Sequence, residues 1–285
     1  MPIITFPHHK GGTGKTTSCL NISGYLQKMG CNVLIVDIDP QANATSGLGV
    51  NPNSLQLSMY DVFMNGFEGY PETNIKDVII QTQSGIDLAP STLDLVGVEP
   101  FLYKINNRTH ILKIILQAIK SDYDFILVDT PPSMGQFVIN GLVASDYTIV
   151  TFDRGIFALN GLKSLLTIFS DIEEQIGEKI TTDMAILTKW LPSDMTKISG
   201  LKSFIYRLSF KKRFQGENEG QMLMEEFEEE VKKYFDSIYR IPYSWEIFKA
   251  QKAGLPLSHF SPNCEAAEAY ERIAQDVFSW KERGN

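Results

Sequence analysis

Eight residues, Lys10-Gly11-Gly12-Thr13-Gly14-Lys15-Thr16-Thr17, follow the apolar run Ile3 to Phe6 and open a helical pattern running from Lys15 to Met29. A glycine-rich turn in that context, after a strand and before a helix, is an anion cradle and not a mere flexible connection. Glycines allow consecutive backbone N–H groups to turn toward one anion, and the helix N-terminus adds partial positive charge. Lys15 would reach the β and γ phosphates of a nucleotide, and the Thr16 hydroxyl would ligate Mg²⁺. Gly11, Gly12, Thr13, Gly14 and Thr17 complete the phosphate-binding set. With about 7% per common residue, seven specified positions match a random window on the order of once in 10⁸.

The rest of the chain fits the fold that such a loop needs. Short apolar runs recur between helical patterns, at Ile3 to Phe6, Val33 to Asp37, Ile86 to Ala89, Phe125 to Val128, Tyr147 to Phe152, Met184 to Leu187 and Ile238 to Ile241. Runs of this kind are buried on both faces, which predicts an α/β, doubly wound and mostly parallel sheet flanked by helices. The helices are predicted over Lys15 to Met29, Thr109 to Lys120, Leu159 to Gln175 and Cys264 to Lys281. In such sheets ligands bind outside the carboxyl ends of the strands. Asp37 and Asp39 end one predicted strand and Asp129 ends another, so their carboxylates can meet the phosphate loop there. A carboxylate in that place can hold Mg²⁺ or orient an attacking water, because phosphoryl transfer is mostly positioning and charge compensation. Asp37 has a second reading, as an acceptor for backbone and loop donors.

At 285 residues, 43% hydrophobic and 21% charged, the chain is read as one globular domain spanning 1–285. No stretch approaches the ~20 apolar residues needed to cross a bilayer, and the first residues lack the order of a signal peptide, so a cytoplasmic protein is expected. Cys19, Cys31 and Cys264 are read as reduced thiols. The formal net charge of −8 sets the surface as a whole against nucleic acid and anionic membranes, so any such partner must meet a local basic patch. One segment offers it. From Met195 to Gly216 there are six basic residues and no acidic one, and Glu217 to Lys233 then carries seven glutamates. This break reads as a helical insertion at about 191–234.

The loop has His9 where the ordinary motif has glycine, and it carries a second lysine, Lys10. In this it resembles the deviant phosphate loop of the ParA/MinD family of ATPases. Val36-Asp37-Ile38-Asp39-Pro40-Gln41-Ala42-Asn43-Ala44-Thr45-Ser46-Gly47-Leu48-Gly49, Val128-Asp129-Thr130-Pro131-Pro132-Ser133 and the prolines of Pro242 to Pro256 around Gly254 are similar to the partition branch. The resemblance implies ATP and Mg²⁺ as cofactors, ATP hydrolysis, and a homodimer in the ATP state. It implies that Asp39 positions the hydrolytic water and acts with Thr16 and Asp129 near magnesium. It also implies that Lys10 reaches the phosphates of the partner subunit's nucleotide, like an arginine finger supplied in trans. It further implies nonspecific DNA and an activating partner protein as partners.

Two departures bear on that picture. The branch's Pro-Arg-Asn-Val-Arg is here Pro242-Tyr243-Ser244-Trp245-Glu246, without either arginine. DNA would then meet Lys202, Arg207, Lys211, Lys212 and Arg213, unless these charges pair with the following glutamates or the carrier surface is not DNA. A membrane-bound positioning ATPase like MinD is the alternative, but the acidic C-terminal helix is poor chemistry for anionic lipid. His8 and His9 stand where the family has Asn and Gln, either as satisfied polar groups or as groups titrating near about pH 6.5. Lys15→Ala is expected to abolish ATP binding, since the phosphates lose their one point charge in a cradle of backbone dipoles. Micromolar affinity retained in a calorimetric titration would refute the loop's role.

Overall fold

The computed structural model describes residues 1–153, 158–190 and 226–283. The apolar runs form strands β1 Ile3–Phe6, β2 Val33–Asp37, β3 Ile80–Gln81, β4 Asp87–Ala89, β5 Phe125–Asp129, β6 Tyr147–Asp153, β7 Met184–Trp190 and β8 Ser237–Pro242. They lie in one sheet in the order β3-β4-β2-β5-β1-β6-β7-β8, parallel throughout except where β3 runs antiparallel to β4 at one edge. The two-residue β3 is too short to carry a period, which is why no run predicted it.

Crossover helices occupy both faces: α1 Lys15–Lys28, α2 Asn43–Gly47, α3 Met59–Met64, α4 Ile75–Val78, α5 Glu99–Leu102, α6 Ile111–Gln117, α7 Gln136–Ala144, α8 Ala158–Ile176, α9 Trp245–Lys252, α10 Leu257–Phe260 and α11 Glu265–Arg283. Pleating sends alternate residues of each strand to opposite sides. Ile4, Phe6, Val33, Ile35, Phe125 and Leu127 pack with Leu20, Ile22 and Leu26 of α1 and with Tyr270, Ile273 and Val277 of α11. Their neighbours Ile3, Leu34, Val36, Ile126 and Val128 face α3, α6 and α7. A third cluster joins Val150, Phe152, Ala185 and Leu187 to α8 and to Phe227, Val231 and Phe235. The fold is thus the doubly wound α/β sheet that the apolar runs predict.

Most of the insertion read at about 191–234, including its basic run, lies outside the described residues. Its described end, helical at 226–231, anchors by Phe227 and Val231. The free cysteines Cys19 and Cys31 are buried and Cys264 is half-buried.

The segment after β8 is clamped against the chain following β2. Gly254 has φ +70°, and a Cβ there would sit 2.5 Å from Gly49 Cα, so both the conformation and the space exclude a side chain. Gly30 has φ +87° but open space around it. Gly254→Ala is therefore expected to lower stability by about 2–4 kcal/mol, and Gly30→Ala by only about 1 kcal/mol. Urea denaturation of the two variants checks this, and equal losses would show that the Gly49 contact is not restrictive.

Candidate functional site

The carboxyl ends of β1, β2, β5, β6 and β7 converge on the turn between β1 and α1. Gly12 and Gly14 have φ +75° and +99°, conformations that side chains resist. Gly14 is doubly restricted, because a Cβ would meet Thr188 Cγ2 at 2.8 Å. Two carbonyls of the loop are taken by side chains of β7. Thr188 Oγ1 donates to Thr13 O at 2.9 Å, and Lys189 Nζ donates to Gly12 O at 2.8 Å. The hydroxyls of Thr13 and Thr151 meet at 3.0 Å. With these two carbonyls occupied, a glycine turn of this kind is suited to present N–H groups to an anion.

Thr151, Thr188 and Lys189 have no sequence signature. Lys189 sits at a bulge in β7, with φ 57° and a register shift between Leu187 and Trp190, and only that irregularity turns its amine back to the loop.

Lys15 is buried, and its ammonium lies near Lys10 O at 3.4 Å. Burial lowers its pKa, while Asp129 and Asp39 act to raise it. Thr16 Oγ1 donates to Asp129 Oδ2 at 2.7 Å, and the other oxygen of the fully buried Asp129 has no partner. Burial first, and then the charge of Asp37, push Asp129 well above the ordinary carboxylate range. Asp39 is also raised by burial, against a backbone hydrogen bond from Gln41 at 2.9 Å and the charge of Lys15. The site thus gathers Lys15, Thr16, Asp39 and Asp129 at one edge.

Asp37 does something else. Its Oδ2 accepts from Thr45 N at 2.9 Å and Thr45 Oγ1 at 2.7 Å, and its Oδ1 accepts from Asp39 N at 3.1 Å. Of its two sequence readings, the acceptor for loop donors is the one the geometry supports. Burial raises its pKa to about 7.

Residues 1–182 match the family model described as AAA domain. Over 279 residues the chain is 32% identical to the sporulation initiation inhibitor protein Soj of Bacillus subtilis, covering 96% of this chain and 97% of that one. It is 30% identical over 278 residues to the chromosome-partitioning ATPase Soj of Treponema pallidum, covering 96% of each. The chain belongs to the ParA/MinD family of P-loop ATPases. Its fold is shared with cobyrinic acid a,c-diamide synthase from Mycobacterium smegmatis, solved with an ATP analog and magnesium, at a TM-score of 0.71 and 23% identity over 100% of this chain and 97% of that one.

The donor set of this ParA/MinD ATPase fits Mg²⁺ carried by a triphosphate. Mg²⁺ takes one or two carboxylates and completes its shell with phosphate oxygens and water. The unpartnered oxygen of Asp129 and the Thr16 hydroxyl are suited to it, and Asp39 and Asp129 share the field of the single buried ammonium of Lys15. Among the described residues no group of three or more His, Cys, Asp or Glu forms a cage by itself, so the phosphates would have to share the ion.

Lys10 does not float in solvent. Its Nζ pairs with Asp153 Oδ1 at 2.7 Å, and its backbone N–H donates to His8 Nδ1 at 2.9 Å. Lys202, Arg207, Lys211, Lys212 and Arg213 lie outside the described residues. In the segment read above against the branch's arginines, Glu246 is paired with Lys249 at 2.8 Å, and Trp245 and Phe248 are 63% and 61% exposed.

His8 is buried, with His9 stacked on it at 4.8 Å. Its pKa is lowered to about 3 by burial, then by His9 and Lys15, so the packing favours the neutral imidazole. His9 is lowered by burial, Lys15 and Lys10. Below 6.5 an unfolded His8 takes up a proton that the folded one refuses until about pH 3. Its contribution to stability is thus complete above 6.5 and falls as pH drops, by about 1.4 kcal/mol per pH unit. Urea denaturation at stepped pH should show a shallower acid loss for His8→Gln across that window. Parallel curves for variant and wild type would place the titration elsewhere.

Proposed function

We propose that this chain is a partition-type switch: it binds ATP with Mg²⁺, dimerises face to face, hydrolyses the nucleotide and separates. In that cycle it segregates DNA, or positions another large cargo, in the cytoplasm through nonspecific DNA binding, and a partner protein stimulates turnover. The observation that carries the reading is a phosphate loop with two lysines in different situations. Lys15 is buried at the carboxylates, and Lys10 sits at the surface on Asp153.

Lys15 would hold the β and γ phosphates, and the N–H groups of Gly11 to Thr17 would cradle them. Thr16, oriented by Asp129, would ligate the magnesium, with Asp39 beside it. Mg²⁺ held by these residues would supply positive charge to offset the charge that develops on the phosphates. Asp39, with its pKa raised by burial, is suited to orient water and accept part of its proton. Lys10 would leave Asp153 to reach the nucleotide of the second subunit, so association and turnover share one residue.

The names of the curated relatives favour chromosome partitioning over the membrane-bound alternative. So does α11: its apolar residues Ala266, Tyr270, Ile273 and Val277 pack into the core and are not available to lipid. No helix among the described residues is long and apolar enough to cross a membrane. Since the face after β8 carries exposed aromatic rings and a paired glutamate instead of arginines, DNA is assigned to Lys202, Arg207, Lys211, Lys212 and Arg213.

Asp39→Ala should bind ATP, accumulate as a dimer on gel filtration and hydrolyse very slowly, while Lys10→Ala should bind ATP and stay monomeric. In the Asp39→Ala dimer, changing Lys211, Lys212 and Arg213 together to Glu should weaken DNA binding by about tenfold or more at low salt. An ATP-dependent dimer of normal affinity for Lys10→Ala would refute the reach in trans. Unchanged DNA binding by the triple variant would refute the basic patch.

A further inference from the structure

The last residue of the phosphate loop is tied to a segment far along the chain by two routes. Thr17 is in the first turn of α1, and its Oγ1 accepts from Gln251 Nε2 at 2.9 Å. Its carbonyl accepts from Asn21 Nδ2 at 2.7 Å, and Asn21 Oδ1 in turn accepts from Leu257 N at 2.7 Å. The 251–257 segment is itself fixed. Ala250 is buried, Gly254 abuts Gly49, and Gln83 Nε2 donates to Ala253 O at 3.2 Å and Gly254 O at 3.4 Å. α1 also presses on it closely, since a Cβ on Gly24 would meet Pro256 Cβ at 2.6 Å. Gln251 therefore approaches Thr17 from a rigid support.

A hydroxyl has one hydrogen to donate and two lone pairs. When the Gln251 amide occupies a lone pair of Thr17, the hydroxyl hydrogen remains for another acceptor. At the N-terminus of α1, beside the glycine turn of the loop, the acceptor such a hydroxyl would meet is a phosphate oxygen. We infer that Gln251 is a positioning residue of the nucleotide site, fixing the Thr17 hydroxyl as a donor toward the phosphates. The inference rests on the nucleotide reading above and adds to it a residue over 230 positions away from the loop.

The sign of the effect separates positioning from packing. Gln251→Glu keeps size and reach but offers only acceptors, so it would draw the Thr17 hydrogen to itself and place negative charge near the phosphates. Gln251→Ala merely releases the hydroxyl. In the full chain with Mg²⁺, Gln251→Ala is expected to raise the dissociation constant for ATP about three- to tenfold, the range for one lost hydrogen bond. Gln251→Glu is expected to raise it further than Ala does. KM should rise while kcat changes by less than about twofold, because Lys15 and Asp39 are untouched. Both variants should melt with the wild type in the absence of nucleotide. In a Thr17→Val background the Gln251→Ala change should cost no further affinity, a cycle that also serves if the Glu variant does not fold. ATP binding equal to wild type in either variant overturns the inference, as does additivity in the cycle or a loss of affinity that only tracks a lowered melting temperature. These results are distinct from failure of the nucleotide reading, which would show as ATP binding that is absent in the wild type or indifferent to Lys15→Ala.

Discussion

The ammonium of Lys15, buried against Asp39 and Asp129 at the edge of a parallel sheet, is the interaction on which the site is built. A lone buried cation is costly, and so is each buried carboxylate. Bringing them together at the strand ends compensates both in part. The compensation is incomplete, as the raised pKa values of Asp37 and Asp129 and the unpartnered oxygen of Asp129 record. A Mg²⁺ ion held by Thr16 and Asp129 would place positive charge beside these carboxylates.

Around that centre the protein supplies rigidity more than reactive groups. β7 holds two loop carbonyls through Thr188 and Lys189, Asp37 holds the turn that carries Asp39, and Gln251 and Asn21 hold Thr17. The contacts come from β7, from the end of β2 and from helices α1 and α9, and they hold either the phosphate loop or the turn that carries Asp39. This suits phosphoryl transfer, where fixed dipoles and charges act because they need no reorganisation when charge develops. The exposed Lys10–Asp153 pair is the exception. It is a surface ion pair of the kind that contributes little to stability, so breaking it to free Lys10 would cost little.

The phosphate loop, the apolar strands and the acidic strand ends were legible in the sequence because each is local: a motif within eight residues, a run of consecutive apolar positions, an aspartate closing the run. Their local chemistry fixed the fold class and named Lys15, Thr16, Asp39 and Asp129. Sequence by itself also showed that the arginines of the partition branch are missing after β8.

Tertiary structure decided what depends on distant partners. Asp37 is an acceptor for Thr45 and Asp39 because the chain after β2 folds back over it. His8 favours the neutral imidazole because it is packed under His9 and beside Phe152, an environment that its neighbours in sequence do not reveal. Thr188, Lys189 and Gln251 enter the site by hydrogen bonds spanning more than 170 residues, and they carry no signal since a threonine, lysine or glutamine on a strand or helix is ordinary. Burial and hydrogen-bond partners are properties of the packed chain, so residue type and spacing could name which groups carry charge, and only packing could decide which of them keep it.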